Sequence, residues 1–410
     1  MSVRDAAGNE YRVIDADGHA WEMPLVLWDK YLPSALRGRV FRSGIDPNGH
    51  WRMLFDGRLT MAHENGLVPD DAIARDELLD HHTRPRATPT GSRASFDQVP
   101  RGHPESPAGR LADMDIEGID TAILYPSIGL VWLATAKLDL AIACARAQND
   151  LLADFASDCG GRVRPALSLP LVAPTRDCVD AALKELAHGV NDLGMRSVFM
   201  LPSVRRANLD EPFLYPLYEE IERLGLPIGI HWGAGTWLPG SEERFKPDQF
   251  VLAHTIGFPL EAMVALGSIV CGGLPEKFPR LKWAILESGV GWIHYFMERL
   301  DEHYERLPQL LPAMKRWPRE YLKSGLIYYS CDPDEASLPF ILEMMGDDLI
   351  FYASDYPHWD GRFPESVAPL RDNPKLTSVQ KRKVLAENAA RFYGLATQAD
   401  PSRICGAQLL

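Results

Sequence analysis

Val13-Ile14-Asp15-Ala16-Asp17-Gly18-His19, near the start of this 410-residue chain, has a counterpart near its end in Phe351-Tyr352-Ala353-Ser354-Asp355-Tyr356-Pro357-His358. Each stretch begins apolar and finishes in carboxylates and an imidazole. A buried strand that delivers such side chains at its C-terminal tip is what a metal site in a parallel barrel needs. In a closed barrel of eight strands the first and last are neighbours, so these two tips would meet.

Reading outward, short β-rich apolar runs at 11–16, 121–126, 163–169, 195–201, 227–231, 281–287, 326–330 and 349–353 predict eight strands. Helical spacing fills most of the gaps. Residues 138–155 run up to Gly160-Gly161, residues 181–188 are closed by Gly189, and Asp210 is placed to cap a helix that stops at Gly225. Strand and helix in alternation imply right-handed parallel units, hence α/β. The expected fold is a (β/α)8 TIM barrel, with an open doubly wound sheet as the alternative. No GxGxxG opens the first unit, which removes the main sign of a dinucleotide fold. A single domain over 1–410 is expected, with a long insertion at 32–109 after strand one, a C-terminal helical extension and a tail at 396–410. Placed after strand one, the insertion would lie over the C-terminal mouth as a lid or substrate wall.

Composition excludes several classes. A net charge of −13 argues against a nucleic-acid or anionic-membrane surface. No run approaches the length of a membrane span, and the first residues lack an apolar signal core. Six scattered cysteines without a CxxC pair read as reduced thiols, so a cytoplasmic location is expected.

Ligand-type residues sit at four strand ends: Asp15, Asp17 and His19 at strand one, His231 at strand five, Glu287 at strand six, and Asp355 with His358 after strand eight. Strands two to four end blandly in Tyr125-Pro126, Leu169-Pro170 and Leu201-Pro202. Alternation puts Asp17 and His19 on one face of an extended segment. Two imidazoles with two carboxylates suit one divalent ion, zinc or manganese, with room for a water. Asp15 reads as a hydrogen-bond acceptor behind the ligands, and His358 as a possible surface loop residue. His254 is expected in the loop after strand five as a second proton carrier or as a helix cap. Trp232 and Trp359, beside proposed ligands, are expected to contact substrate. Arg84, with Arg110 beside it, is the candidate for holding a substrate carboxylate.

These motifs resemble the amidohydrolase superfamily, in the branch of aminocarboxymuconate semialdehyde decarboxylase and the non-oxidative aromatic acid decarboxylases. The resemblance runs from Tyr11 to Leu395. It also rests on Arg110-Leu111-Ala112-Asp113-Met114-Asp115-Ile116-Glu117-Gly118-Ile119-Asp120, Phe278-Pro279-Arg280-Leu281-Lys282, Glu287-Ser288-Gly289-Val290-Gly291-Trp292 and Asn388-Ala389-Ala390-Arg391-Phe392-Tyr393-Gly394-Leu395. It implies Asp17, His19, His231 and Asp355 as metal ligands, with Asp355 also orienting a water. It further implies a small carboxylic acid substrate and a homo-oligomer such as a dimer. Two departures stand out. Asp17 replaces the first histidine of the common His-x-His pair, and Glu287 replaces the catalytic histidine of the well-studied decarboxylases. The expected reaction is non-oxidative decarboxylation of a small aromatic or muconate-like acid, with Asp355, Glu287 and His254 catalytic. Metal-water hydrolysis of an amide, lactone or other activated carbonyl is the alternative. A non-catalytic, metal-stabilised binding protein is the third reading.

Overall fold

The computed structural model describes residues 3–4, 10–21, 30–40, 42–45, 51–55, 58–59, 104, 106–127, 129–130, 133, 136–233, 250–358 and 361–395. Eight parallel strands appear at the expected places: β1 (Ile14–Ala20), β2 (Thr121–Pro126), β3 (Val163–Pro165 continuing as Leu167–Ser168), β4 (Val198–Met200), β5 (Ile228–Ile230), β6 (Trp283–Ile285), β7 (Ile327–Cys331) and β8 (Ile350–Tyr352). Each pairs in parallel with its successor, β1 with β2 and the second half of β3 with β4 through to β8. Apart from Arg164 and the polar residues of β1, the strands are mostly buried and apolar on both faces, as a helix-covered barrel requires. The fold is a (β/α)8 TIM barrel.

The seam between β8 and β1 is made differently from the other pairings. The Asp355 N–H donates to the Asp17 carbonyl at 3.0 Å, and the His19 N–H donates to the Tyr356 carbonyl at 2.8 Å. Buried Asp15 accepts from the Ser354 N–H at 2.9 Å and from its hydroxyl at 2.6 Å. Behind it, fully buried Arg110 stacks on the Tyr356 ring at 4.6 Å and donates to the Tyr356 carbonyl at 3.3 Å. The Tyr356 hydroxyl in turn donates to Asp113. This network fastens the start of the chain to its last barrel loop.

Several helices follow their sequence signals. α1 (Pro107–Glu117) is capped by Ser106 and stopped by Gly118 at φ 78°. α2 (Leu138–Ser157) and α3 (Arg176–Asn191) pack over β3. Gly189 does not end α3, as its residue type predicts; the helix runs through it, and the glycine serves close packing, since a Cβ there would lie 2.2 Å from Leu167 Cδ1. Nor does Asp210 cap the next helix. A 3-10 turn at Pro212–Leu214, preceded by Glu211 and without a side-chain cap, leads into α4 (Tyr215–Leu224), which does stop at Gly225.

The largest departure is α5 (Phe250–Cys271), which starts before His254 and carries Pro259 inside it. Its window His254–Cys271 is long and apolar enough to cross a membrane, with mean hydropathy 1.4, and 44% of it is buried. Pro259, Glu261 and Ser268 hide that length from a reading by apolar runs. Ala265, Leu266, Ile269 and Val270 face the core.

The insertion at 32–109 is less irregular than its composition indicates. It holds an antiparallel meander, Arg42–Ile45, Trp51–Phe55 and Arg58–Leu59. Most of its remainder, including Arg84, and the tail at 396–410 lie outside the described residues. At the other end of the chain a helical extension finishes in α8 (Asn388–Tyr393), which follows α6 (Ile293–Arg306) and α7 (Leu338–Met345). Asn388 donates to the Ile350 carbonyl at 2.7 Å, tying α8 to β8.

The Asp15 latch makes a stability prediction. Replacing Asp15 with Ala leaves the buried Ser354 hydroxyl and N–H without their acceptor and should cost roughly 2–4 kcal/mol. Urea unfolding with an unchanged midpoint would show that the seam does not depend on it.

Candidate metal centre

Strand β1 is longer than its sequence signal. It runs through the whole motif, with a register shift between Asp15 and Gly18 that re-aims the side chains around it. Asp15 therefore turns into the Ser354 latch while Asp17 and His19 reach the mouth. Gly18 is required here, since a Cβ would meet Asp15 Oδ2 at 2.6 Å.

His19, His231 and Asp17 converge, all of them buried. The two Nε2 atoms lie 3.0 Å apart, and Asp17 Oδ1 is 3.9 Å from His19 Nε2 and 3.7 Å from His231 Nε2. Asp355 Oδ1 is 3.2 Å from His19 Nε2. An ion with bonds of about 2.0–2.2 Å spaces neighbouring ligand atoms roughly 3.0–3.6 Å apart; the His19–His231 and His19–Asp355 separations fall in that window and the two to Asp17 lie just outside it. Asp17 Oδ1 is buried and accepts no hydrogen bond among the described residues. The Asp355 and Glu287 oxygens approach the imidazoles without hydrogen-bond alignment. Such atoms are aimed at a cation rather than at each other. The set Asp17, His19, His231 and Asp355 fits a divalent ion.

The floor beneath them is aromatic and hydrogen-bonded. The Tyr125 ring stacks beside His231 with centroids 5.7 Å apart. Its hydroxyl meets that of Tyr393 at 2.9 Å, and Tyr393 donates to the Ala16 carbonyl at 2.8 Å. Tyr125 crosses the interior so closely that a Cβ on Gly229 would lie 2.0 Å from its hydroxyl. The His231 Nδ1 contacts the Trp232 carbonyl at 2.7 Å, so Nδ1 carries the proton and Nε2 is the ligand nitrogen.

Glu287 stands beside this group. Its Oε2 is 3.0 Å from His231 Nε2 and its Oε1 is 3.9 Å from His358 Nδ1. Both Glu287 (φ 49°) and Asp355 (φ 54°) occupy the left-handed region, uncommon for residues with a side chain. Ser330 Oγ accepts from the Glu287 N–H at 3.0 Å and the Asp17 carbonyl from the Asp355 N–H, which hold the two turns.

His358 is where the sequence reading falls short. It is not a surface loop residue. Its ring stacks on His19 at 3.8 Å, its Nδ1 lies 2.9 Å from Asp355 Oδ1, and its Nε2 meets the Ser127 hydroxyl at 2.9 Å. The sequence marks it as a ligand-type residue three positions beyond Asp355, and the turn between them is closed by a bond from the His358 N–H to the Asp355 carbonyl at 2.8 Å.

The remaining candidates separate. His254 lies in α5 rather than in a loop, packed against Phe258 at 4.0 Å between centroids and 6.4 Å from Trp232. Trp232 stacks on Phe258 at 3.9 Å, forming an aromatic wall beside His231. Arg110, expected as a weak carboxylate anchor, is instead committed to the seam. Trp359 and Arg84 lie outside the described residues.

A family model described as amidohydrolase matches residues 14–395. The chain belongs to the amidohydrolase family. Among curated proteins, this amidohydrolase is 26% identical over 326 residues to the 2-amino-3-carboxymuconate-6-semialdehyde decarboxylase of Dictyostelium discoideum, covering 79% of this chain and 85% of that one. It is 28% identical over 297 residues to a gamma-resorcylate decarboxylase from a Rhizobium strain, covering 70% and 86%. Among solved structures it resembles a 5-carboxyvanillate decarboxylase of Novosphingobium aromaticivorans with bound manganese, at TM-score 0.64, 20% identity and coverage of 96% and 100%. The amidohydrolase is thus a metal-dependent enzyme whose matched curated relatives are decarboxylases.

Proton occupancy follows from the geometry. Burial lowers the His231 pKa, yet the Glu287 and Asp17 carboxylates outweigh it and push it up to about 9. For Glu287 burial acts upward, and the charge of His231 holds it below the usual range. Burial drives Asp17 well above its ordinary value. His19 is driven well below its own, first by burial and then by the charges of His358 and His231. A cation must therefore displace a proton from His231. Affinity for Mn2+ should rise with pH by roughly tenfold per pH unit for each proton released and level off above about 9, as His231 loses its proton. Calorimetric titration between neutral pH and that value checks this, and a flat affinity would contradict it.

Proposed function

We propose that this amidohydrolase catalyses non-oxidative decarboxylation of a small aromatic or muconate-like carboxylic acid, with manganese in the site. The observation that carries the reading is the convergence of buried Asp17, His19 and His231 with partly exposed Asp355, with Glu287 and His358 poised on its open side. The decarboxylase relatives, matched over most of their length, support it. A carboxylate-rich donor set favours a harder ion than zinc, which supports manganese.

When bound, the ion supplies a Lewis acid that polarises a substrate oxygen. The chain's own groups do the rest. The wall of Trp232 and Phe258 gives a flat substrate an apolar face to lie on. Loss of carbon dioxide leaves an electron pair on the carbon that carried the carboxylate, and that carbon needs a proton. His358 is suited to hold it. Burial lowers its pKa, but the Asp355 carboxylate and Glu287 outweigh burial and raise it well above the ordinary histidine value. Asp355 and Glu287 flank the imidazole and fix where the proton is presented.

Hydrolysis of a lactone or other activated carbonyl is the second reading, favoured by one feature: a carboxylate, Glu287, stands where the resemblance places a histidine. Release of carbon dioxide from a panel of hydroxybenzoates and muconate-like acids, set against hydrolysis of lactone and amide probes, separates the two. Decarboxylation is expected from the manganese-loaded enzyme, and hydrolysis alone would replace this reading with the second. Asp355→Asn should lower kcat by about 100- to 10,000-fold, the usual range for removing a positioned acid–base group. An Asp355→Asn enzyme with wild-type kcat would remove it from the chemistry.

A further inference from the structure

We propose that this chain binds a small phosphate-bearing anion at the base of the barrel, in a cavity between Lys282, Lys323 and Arg391. The cavity has a volume of about 320 Å3. Its walls include Lys282, Gly325 and Leu349, which lie just before β6, β7 and β8, together with the C-terminal ends of α7 and α8. It therefore sits at the N-terminal ends of the strands, on the face opposite the metal centre. Its size falls at the lower end of the range for small-molecule sites.

Charge sets this cavity apart. Across the chain acidic residues outnumber basic ones, 56 to 43. Here the balance reverses: Lys282, Lys323 and Arg391 line the space, and Asp348 is the one carboxylate among the described residues of the lining. Asp348 is already shared, with Arg391 at 3.3 Å and with Lys383, which approaches from outside the lining, at 2.9 Å. The lining thus carries two net positive charges. A phosphate dianion would neutralise them, and a monocarboxylate would offset only one.

The two lysines are held in place with donors to spare. Lys282 Nζ donates to the Arg391 carbonyl at 2.7 Å, and Lys323 Nζ donates to the Met344 carbonyl. Both carbonyls lie in the last turn of a helix, where an ammonium also meets the negative end of the helix. Capping uses one N–H of the three on each ammonium. Among the described residues neither lysine has a carboxylate partner. Burial lowers the pKa of half-buried Lys282, and the charge of Arg391 lowers it further. An anion between these two cations would relieve their repulsion.

The rest of the lining suits an organic group attached to the phosphate. Tyr328, Met345 and Leu349 supply apolar surface beside the cations. The Tyr328 ring is fixed by packing on Phe351 and Phe392, at 6.1 and 5.1 Å between centroids. Phosphate oxygens would be met by the two ammonium groups and by the planar guanidinium of Arg391, whose fork of donors matches them.

The test is calorimetric titration of the full chain with phenyl phosphate, inorganic phosphate and benzoate. One equivalent of phenyl phosphate is expected to bind, with inorganic phosphate competing for the same place and benzoate at least tenfold weaker. Tighter binding of phenyl phosphate than of inorganic phosphate would assign the site to a monoester, and equal binding would assign it to the free ion. Lys323→Ala, at an exposed position that the fold tolerates, and Arg391→Gln should each weaken binding by roughly tenfold or more, the usual cost of one charge-assisted bond. Asp355→Asn, at the opposite face, should bind phenyl phosphate as the wild type does. No binding at millimolar phosphate overturns the proposal, and so does an affinity that Lys323→Ala leaves unchanged. Binding lost in Asp355→Asn but kept in Lys323→Ala would place the anion at the metal centre and overturn it equally. None of these measurements depends on the reaction proposed above.

Discussion

Asp15 and Ser354 are 339 residues apart in sequence and share two buried hydrogen bonds. The mouth of the barrel depends on that contact. It fastens the first strand to the loop after the last one, at a seam where, among the described residues, isolated backbone bonds take the place of a ladder. Because Asp17 and His19 follow Asp15 by two and four residues, and Asp355 follows Ser354 by one, the latch sets these candidate ligands against one another. A shift of one residue on either side would turn the imidazole of His19 away.

Strain and burial are concentrated where that latch can hold them. Asp355 and Glu287 keep left-handed backbone conformations, and both turns are pinned by neighbours of the site. The donors themselves are desolvated, which is costly for carboxylates unless a cation or a proton compensates. The protein alone compensates with protons and ion pairs, seen in the raised pKa of His231 and the depressed one of Glu287. A divalent ion would replace those protons.

Much of this was legible in the residues. The eight apolar runs, the parallel order and the strand tips bearing Asp17, His19, His231, Glu287 and Asp355 all follow from period and residue type. The boundaries were harder. Gly189 looked like a helix stop but is a contact point against Leu167, and His254, expected in a loop, lies within α5 together with Pro259. Glycine and proline mark places where a side chain or an N–H is unwanted, and packing can impose that condition as well as a turn. His358 was undervalued for a related reason: beyond a proline, a loop residue carries no periodicity to show which way it points.

By itself, then, the sequence determined the fold class and the chemical types at the strand tips, because period and burial act locally on neighbouring residues. Only the tertiary structure decided which of those residues share one space. It drew His358 inward onto His19, committed Arg110 to the seam, and put His254 into a helix against Phe258. The first two outcomes depend on contacts between segments hundreds of residues apart, and the β1 tip depends on a register shift that no local pattern encodes.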